Sequence, residues 1–310
     1  MARILVSGLI NLETTLKVEG FPVTYEPVRY PFHGVTSSIA GVGYNVARAL
    51  VTLGNEVRLA SIIGQDAVGD LALGTLKQDR ISNEFVTRAM PATAQSVIMY
   101  DPNGARAIHT DLKDIQDRLY PGARFETALE GCAAVIAGNI NFSRPLLKLA
   151  NARGIPVITD LHALQDLENP YDQDFLESAD MVFFSHERLQ DTPENIVHQL
   201  FERFRTRLIV VGMGAQGALL AIRDEPIRLV PAVNVRPIIS TVGAGDSLLS
   251  SFVHGFSAGL EPIEALERAV LFAAHKIGEV GAANGFLNAN ELELAWQAAN
   301  LDGSRLKIPA

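Results

Sequence analysis

The chain has 310 residues, of which 48% are hydrophobic and 20% charged, as in a globular protein with a sizeable core. This length fits one large domain with an appendage as well as two domains. A formal net charge of −9 argues against a nucleic-acid partner, because binding to a phosphate backbone depends on clustered Lys and Arg. No apolar run reaches the roughly 18 residues of a membrane span, and the N-terminal apolar stretch is too short for a signal peptide. We therefore expect a cytoplasmic protein without a membrane partner.

The first predicted element is a buried strand at residues 3–8, an apolar run that ends in a small residue and a glycine. Asn11 and Glu13 follow it. Ligands of open α/β sheets bind beyond the carboxyl ends of the strands, so both side chains are candidates for recognising hydroxyl groups. Ordinary loop residues are an equally good interpretation.

Two segments of the first third are typical of β-structure outside the main sheet. Residues 14–40 contain two short alternating stretches, 16–19 and 28–30, among three prolines. Residues 94–112 predict a hairpin around the turn at 101–104. We expect both segments to build one small sheet that covers the strand ends as a lid and excludes water.

Between these segments, the run A-G-V-G-Y-N at residues 40–45 opens a predicted helix over 42–53. Its glycines, Gly41 among them, let another backbone come close, and Asn45 offers both a donor and an acceptor to a polyol. Glycines that serve tight helix packing explain the same pattern equally well.

From residue 131 onward, short apolar strands alternate with helical segments, and this alternation predicts right-handed βαβ units. We expect an α/β fold with a doubly wound, mostly parallel sheet and helices on both faces. A hairpin flanks this sheet, and a further helix begins near Pro262. An earlier strand is predicted at 57–63 and is followed by a turn over 64–69. The later predicted strands are 133–137, 155–159, 181–184, 208–211, 219–222 and 227–230. The predicted helices between them are 143–152, 172–179 and 193–205.

Residues 240–247, S-T-V-G-A-G-D-S, lead directly into an apolar helix. The first backbone N–H groups of a helix have no partner inside it and carry partial positive charge, so this turn attracts anions. Asp246 could take a proton from an attacking hydroxyl while the amides of Gly243, Ala244 and Gly245 hold the charge of a transferring group. Ordinary helix capping is the alternative explanation.

Other chemistries find little support. His33, His109, His162 and His186 lack the spacing of helix-borne metal ligands, and no G-x-S-x-G elbow or Walker lysine motif occurs. The single cysteine, Cys132, excludes an internal disulfide, and its small apolar neighbours indicate a buried hydrophobic residue.

Taken in order, these motifs resemble the ribokinase-like, or PfkB, family of carbohydrate and nucleoside kinases over essentially the whole chain, 1–310, as a single domain. Residues 8–13 resemble the family's G-x-x-N-x-D, with Glu13 in place of Asp. Residues 40–45 resemble G-G-x-G-x-N, residues 214–217 the phosphate-contacting G-x-x-G loop, and residues 240–246 D-T-x-G-A-G-D. Ala stands for the first glycine at 40 and Ser for the first Asp at 240.

The resemblance implies that Asp246 deprotonates a sugar hydroxymethyl group, which attacks the γ-phosphoryl of ATP while Mg²⁺ bridges the phosphates. The site residues that it implies fall into three groups. The catalytic residues are Gly243, Ala244, Gly245 and Asp246. The substrate-binding residues are Asn11, Glu13, Gly41, Asn45 and Arg106. The cofactor-binding residues are Gly214, Gly217, Thr241, Ala274, Gly278 and Gly281, of which the last three fall in the family's adenine pocket.

One departure from the family pattern keeps an alternative open. Where the family has N-x-x-E, this chain has S-H-E-R at 185–188, so Glu187 either compensates through a water molecule or leaves metal handling weaker. The altered segment supports the alternative of a non-catalytic nucleotide- or sugar-binding regulator, while the intact motif at 243–246 opposes it. A nucleoside kinase is the other alternative, with Phe32, Val97 and Met99 of the lid lining a base pocket. A homodimer through the lid is a further expectation.

Overall fold

The computed structural model describes residues 2–102 and 104–301. Its strands are β1 (Arg3–Ser7), β2 (Asn11–Lys17), β3 (Val35–Ala40), β4 (Glu56–Gly64), β5 (Val86–Met90), β6 (Gln95–Tyr100), β7 (Arg106–Asp111), β8 (Ala134–Gly138), β9 (Val157–Ala163), β10 (Met181–Ser185), β11 (Leu208–Gly212), β12 (Ala218–Ile222) and β13 (Arg228–Val230). Its helices are α1 (Val42–Thr52), α2 (Ala67–Gln78), α3 (Gly122–Ala128), α4 (Arg144–Ala152), α5 (Gln173–Ser178), α6 (Pro193–Arg203), α7 (Ala244–Ser257), α8 (Pro262–Lys276) and α9 (Ala289–Leu301).

The main sheet has nine strands in the order β13-β12-β11-β10-β9-β8-β1-β4-β5. The strands from β11 to β5 pair in parallel, and β12 and β13 add an antiparallel edge. Its central strands are nearly continuous apolar runs because both of their faces are covered.

Helices cover both faces of this sheet. Apolar residues of α1, α2, α7 and α8 form one buried cluster with one face, and those of α3, α4, α5 and α6 form another with the opposite face. Helix α9 packs on α8 and extends the first layer. The predicted doubly wound α/β architecture is therefore confirmed.

A second, four-stranded sheet has the order β3-β2-β6-β7 and forms the lid. The strand predicted at 28–30 is wrong, since no strand lies between β2 and β3, and Pro27 and Pro31, which cannot donate to a strand ladder, flank that stretch. The first lid strand begins already at Asn11, so the polar residues placed in a loop after β1 lie in the lid itself. Asn103, in the predicted hairpin turn, is outside the described residues.

Sequence patterns missed β5, α2, α3 and α9. The predicted turn at 64–69 contains the start of α2, where Asp66 caps the helix by accepting the Gly69 N–H at 2.9 Å. Cys132 is partly buried, and its thiol donates to the Ala128 carbonyl at 3.2 Å. In the described part of the chain, no helix is long and apolar enough to cross a membrane. The single-domain prediction extends to residues 1 and 302–310, which lie outside the description.

The topology fixes where a ligand site can lie. Strand β1 lies between β4 and β8, and the chain adds β4 and β5 on one side before it continues from β8 on the other. Such a reversal leaves a crevice beyond the carboxyl ends of the strands. The lid reaches this crevice, because its Ala40 and Ile98 pack in one buried cluster with Val242 and Ala282.

Candidate active site

The turn before α7 is built around a glycine that no other residue can replace without strain. Gly243 precedes the helix with φ +79°, and a Cβ there would lie 2.2 Å from the Ala282 carbonyl oxygen. A Cβ on Gly245 would meet nothing within 4 Å, so the helix start is open on that side. The Ala244 N–H already donates to the Thr241 carbonyl at 3.2 Å. The turn thus combines a fixed backbone with space for a ligand.

Asp246 lies in the first turn of α7 and is only 8% exposed. Asn45 of the adjoining helix α1 donates from Nδ2 to Asp246 Oδ2 at 2.7 Å. Burial raises the pKa of Asp246 to about 6, and the nearby Asp160 charge adds to this, while the Asn45 hydrogen bond opposes it. The structure therefore brings two predicted site residues together and makes Asp246 a stronger base than an ordinary carboxylate.

Glu13 is the second buried carboxylate of the site, 6% exposed on lid strand β2. Burial, followed by the Asp246 charge, raises the pKa of Glu13 to about 7, against the opposing influence of Lys276 and the Ala282 N–H. Asp246 and Glu13 are thus electrostatically coupled across the interface between the lid and α7.

Three buried acceptor atoms of the site have no partner among the described residues. These are Asn11 Oδ1, Glu13 Oε1 and Asn45 Oδ1. The Asn11 amide is held from its other end, where Nδ2 donates to Ser96 Oγ at 2.9 Å. A buried acceptor without a donor costs about 1–3 kcal/mol, so three of them among the predicted substrate-binding residues indicate a ligand rich in O–H or N–H donors.

The glycines before α1 serve close packing. A Cβ on Gly41, which has φ +98°, would lie 2.6 Å from the Leu9 carbonyl oxygen, and one on Gly43 would lie 2.5 Å from the Gly8 carbonyl carbon. This contact presses the start of α1 against the 8–11 segment. The sequence left helix packing and ligand binding open for these glycines, and the structure shows the packing.

Arg106 of lid strand β7 reaches the turn before α7. Its Nη1 donates to Thr241 Oγ1 at 2.5 Å, and its Nη2 lies 3.1 Å from Glu187 Oε1. The structure thus places Arg106, predicted to bind the substrate, against Thr241, predicted to bind the nucleotide, and Glu187, predicted to hold the metal. Arg106 therefore connects the lid to the turn before α7 and to the segment after β10.

The predicted phosphate loop after β11 is a tight turn. Gly214 has φ +56°, and Gly217 has φ +109° with the Val230 carbonyl oxygen 2.0 Å from where its Cβ would be. The His186 ring, whose Nδ1 lies 3.0 Å from the Gly212 carbonyl oxygen, joins this loop to the segment that carries Glu187. Gly217 is consequently required for the β11–β12 turn itself.

The residues predicted for the adenine pocket do not share one environment. Ala274 is buried in α8, and the space beside Gly278 is filled by the Arg236 side chain, within 2.1 Å of a Cβ built there. Gly281 has Ser38 of the lid within 4.0 Å of its hypothetical Cβ and adjoins Ala282, whose N–H bonds Glu13. The last of the three therefore lies near Glu13.

Sequence reasoning missed two charged residues of this region. Asp160, 7% exposed in the middle of β9, accepts the His162 N–H at 2.8 Å and raises the pKa of Asp246. Lys276, the last residue of α8, is fully buried, and its ammonium donates to the Val242 carbonyl. A polar residue directly after the predicted apolar strand 155–159 could have marked Asp160. A lysine on the apolar face of a helix gives no such signal.

Two further expectations concern the lid and a metal. Val97 lies on the face of β6 opposite to Ser96 and Ile98, and is 44% exposed, while Phe32 is 86% exposed. They therefore do not line the enclosed side of the lid next to Asn11. Within residues 2–102 and 104–301, no group of three or more His, Cys, Asp or Glu side chains could hold a metal ion.

The model of the pfkB family carbohydrate kinases matches residues 1–290, and the chain belongs to that family. Members of this family are phosphotransferases that act on hydroxyl groups, and this is the class of the chain.

Individual relatives are similar to this chain at modest identity. The acarbose 7(IV)-phosphotransferase of Actinoplanes sp. is 26% identical over 267 residues, 84% of this chain and 87% of its own. The ribokinase of Lactococcus lactis is 25% identical over 309 residues, 94% of this chain and 96% of its own. Among solved structures, a microbiome-derived acarbose kinase superposes with a TM-score of 0.86 at 23% identity, over 96% of this chain and 99% of its own.

Proposed function

We propose that this kinase transfers the γ-phosphoryl group of ATP, with Mg²⁺, to a hydroxymethyl group of a sugar. The observation that carries the proposal is the set of three buried, unpartnered acceptor oxygens on Asn11, Glu13 and Asn45, of which Asn45 bonds Asp246 and Glu13 interacts with its charge. A polyol supplies the O–H donors that these atoms lack. Relatives named for acarbose and ribose support a carbohydrate rather than another alcohol.

The acceptor is held between the lid and the start of α1. Asn11, Glu13 and Asn45 accept from its hydroxyls, and Gly41 keeps the backbone close enough for them to converge. Asn45 performs a second task, because its Nδ2 fixes the Asp246 carboxylate at 2.7 Å. This arrangement positions one hydroxyl for deprotonation.

Asp246 acts as the general base and takes the proton of the attacking hydroxyl onto its carboxylate. With its pKa raised to about 6 by burial, it is ionised at pH 7.5 and is a better proton acceptor than an exposed aspartate. The amides of Gly243, Ala244 and Gly245 stabilise charge on the transferred group. The Ala244 N–H serves two acceptors, the transferred group and the Thr241 carbonyl.

The donor set fits a nucleotide with a divalent ion. The open space at Gly245 admits an anion, and the Arg106 guanidinium and Thr241 hydroxyl lie at the same turn. Gly214 and Gly217 would face the nucleotide phosphates and Ala274 its base, whereas Arg236 fills the space beside Gly278, and Gly281 lies near Glu13. Glu187 would hold the ion through a water molecule, and a single exposed carboxylate suits Mg²⁺, which keeps much of its hydration. When bound, Mg²⁺ neutralises charge that develops on the phosphates.

An ATP-consumption screen tests this proposal. Pentoses, hexoses, their phosphates, oligosaccharides and ribonucleosides are offered with and without Mg²⁺, and the Asp246→Asn variant from the same preparation controls for contaminating kinases. We expect Mg²⁺-dependent turnover of at least one sugar by the wild type alone. Turnover of nucleosides but of no sugar would establish a nucleoside kinase. Absence of turnover together with ligand-induced thermal shifts would establish a binding protein.

A further inference from the structure

A fully buried lysine lies next to the proposed reaction centre. Lys276 is the last residue of α8, and its ammonium reaches across to the carbonyl of Val242 in the turn before α7. The two segments are joined at a second point, since the Ile277 carbonyl accepts the N–H groups of Ile239 and Ser240 at 2.9 and 3.0 Å. The end of α8 thus anchors the whole stretch that precedes the anion-binding turn.

An ammonium group at this depth is costly unless negative charge lies nearby. Burial lowers the pKa of Lys276 to about 8, and the carboxylates of Asp246 and Glu13 counteract this effect. Two further charges act in opposite directions, Arg236 lowering the pKa and Glu279 raising it. The same ammonium lowers the pKa of both site carboxylates. Lys276 is therefore the buried cation beside Asp246 and Glu13, and the charge of His162 also lowers the pKa of Asp246.

The contact with Val242 has a consequence on the other side of the peptide plane. The C=O of Val242 and the N–H of Gly243 belong to one trans peptide unit, so they point in opposite directions. A cation bound to the oxygen fixes the orientation of this unit and polarises it, which makes the N–H a better donor. That N–H is one of the three amides proposed to hold the transferred group.

We propose that Lys276 is a positioning residue of the phosphoryl transfer. Its ammonium holds the Val242 carbonyl so that the Gly243 N–H faces the transferred group, and its charge keeps the Asp246 carboxylate ionised inside a buried site. This inference rests on the proposed kinase reaction. It assigns to this chain a built-in cation beneath the anion-binding turn.

Two variants separate the charge from the hydrogen bond. Lys276→Met has a similar length but neither charge nor donor, while Lys276→Gln retains an N–H donor without charge. For Lys276→Met we expect kcat to fall about 10²-fold, comparable to the loss of one oxyanion donor, with little change in the KM of the acceptor. For Lys276→Gln we expect part of this kcat to return.

The pH profile gives a readout that a purely structural role would not move. The wild type should lose kcat/KM above about pH 8, where the Lys276 ammonium deprotonates, and below about pH 6, where Asp246 protonates. Both variants should lack the alkaline decrease. In both, the acidic limb should move to higher pH, because Asp246 has lost a positive neighbour.

Lys148 is exposed on α4, and Lys148→Met provides the matched control. This variant should keep the wild-type kcat and both the acidic and the alkaline limb of the wild-type pH profile. Wild-type kcat in Lys276→Met, or a lower kcat with both limbs unmoved, would overturn the inference. If the variants do not fold, the wild-type profile decides, since constant kcat/KM from pH 7 to 10 contradicts the role of the ammonium. A wild type without turnover of any acceptor refutes the kinase proposal itself.

Discussion

Replacing Asp246 with asparagine removes a charge while the shape of the side chain is kept, and the structure predicts opposite effects on stability and turnover. Burial raises the pKa of this carboxyl from its ordinary 3.8 to about 6. Each unit of pKa difference between the folded and unfolded states corresponds to about 1.36 kcal/mol, so the ionised carboxylate destabilises the folded state by about 3 kcal/mol. The amide oxygen of the introduced asparagine can still accept from Asn45, so the variant loses the charge but keeps this bond.

The pH dependence of this effect follows from the sign of the shift. Below about pH 3 the carboxyl of the wild type is protonated in both folded and unfolded chains, and the two proteins should be equally stable. As the pH rises from 3.8 through about 6, the unfolded chain ionises first and the wild type loses stability. Asp246→Asn should therefore be more stable by about 3 kcal/mol at pH 7.5 and by about half of that at pH 5.

Turnover should change in the other direction, because the amide cannot accept the proton of the substrate. Loss of a general base lowers kcat by about 10²–10⁴-fold, while the acceptor contacts from Asn11 and Glu13 remain, so its affinity should change little. Urea unfolding at pH 5 and 7.5, steady-state kinetics and calorimetric binding measure the three quantities. Asp117→Asn, at an exposed position, is the matched control. A variant that is less stable than the wild type at pH 7.5, or that keeps wild-type kcat, would refute the reasoning.

Four further changes test other parts of the site. Glu13→Gln should raise the acceptor KM about tenfold, since a neutral amide replaces a buried acceptor, and an unchanged KM would remove Glu13 from the acceptor site. Gly243→Ala should cost at least about 1–3 kcal/mol in urea unfolding, because φ is +79° and the new Cβ would lie 2.2 Å from the Ala282 oxygen; wild-type stability would contradict this geometry. Arg106→Met should lower kcat/KM about tenfold by removing the contacts that the lid makes with the phosphate side, and equal kinetics would mean that these contacts do not serve the reaction. EDTA should abolish turnover but leave the melting temperature unchanged, because the described residues contain no metal cluster; a large fall in melting temperature would reveal a structural metal.

The sequence allowed prediction of the fold where a pattern is regular and local. The alternation after residue 131 gave the parallel sheet, because strands buried on both faces are apolar runs that their length distinguishes from the helices. The short strand β5 and helix α3 lack such a pattern and were missed. The lid was located by its prolines and its hairpin, but its first strand starts at Asn11, immediately after a three-residue connection from β1 that no sequence pattern reveals.

The site was predictable only as far as its residues belong to motifs. Asn45 and Asp246 are 201 residues apart, and only the packing of α1 against α7 shows that they form a hydrogen bond. Lys276 could not be found, because the sequence does not distinguish a buried ammonium from one that extends to the surface. Arg106 was grouped with the substrate, while its contacts with Thr241 and Glu187 depend on how the lid sits on the sheet.

The central claim is that Asp246 activates a primary hydroxyl for attack on the γ-phosphoryl group of ATP. Phosphorus NMR of the reaction mixture, with an acceptor from the ATP-consumption screen, tests it most directly. The wild type should produce a phosphate monoester whose signal is split by the two protons of a CH₂–O–P group, and Asp246→Asn should produce none in the same time. An ester on a ring hydroxyl, ATP hydrolysis without an ester, or the same ester formed at the wild-type rate by Asp246→Asn would contradict the account.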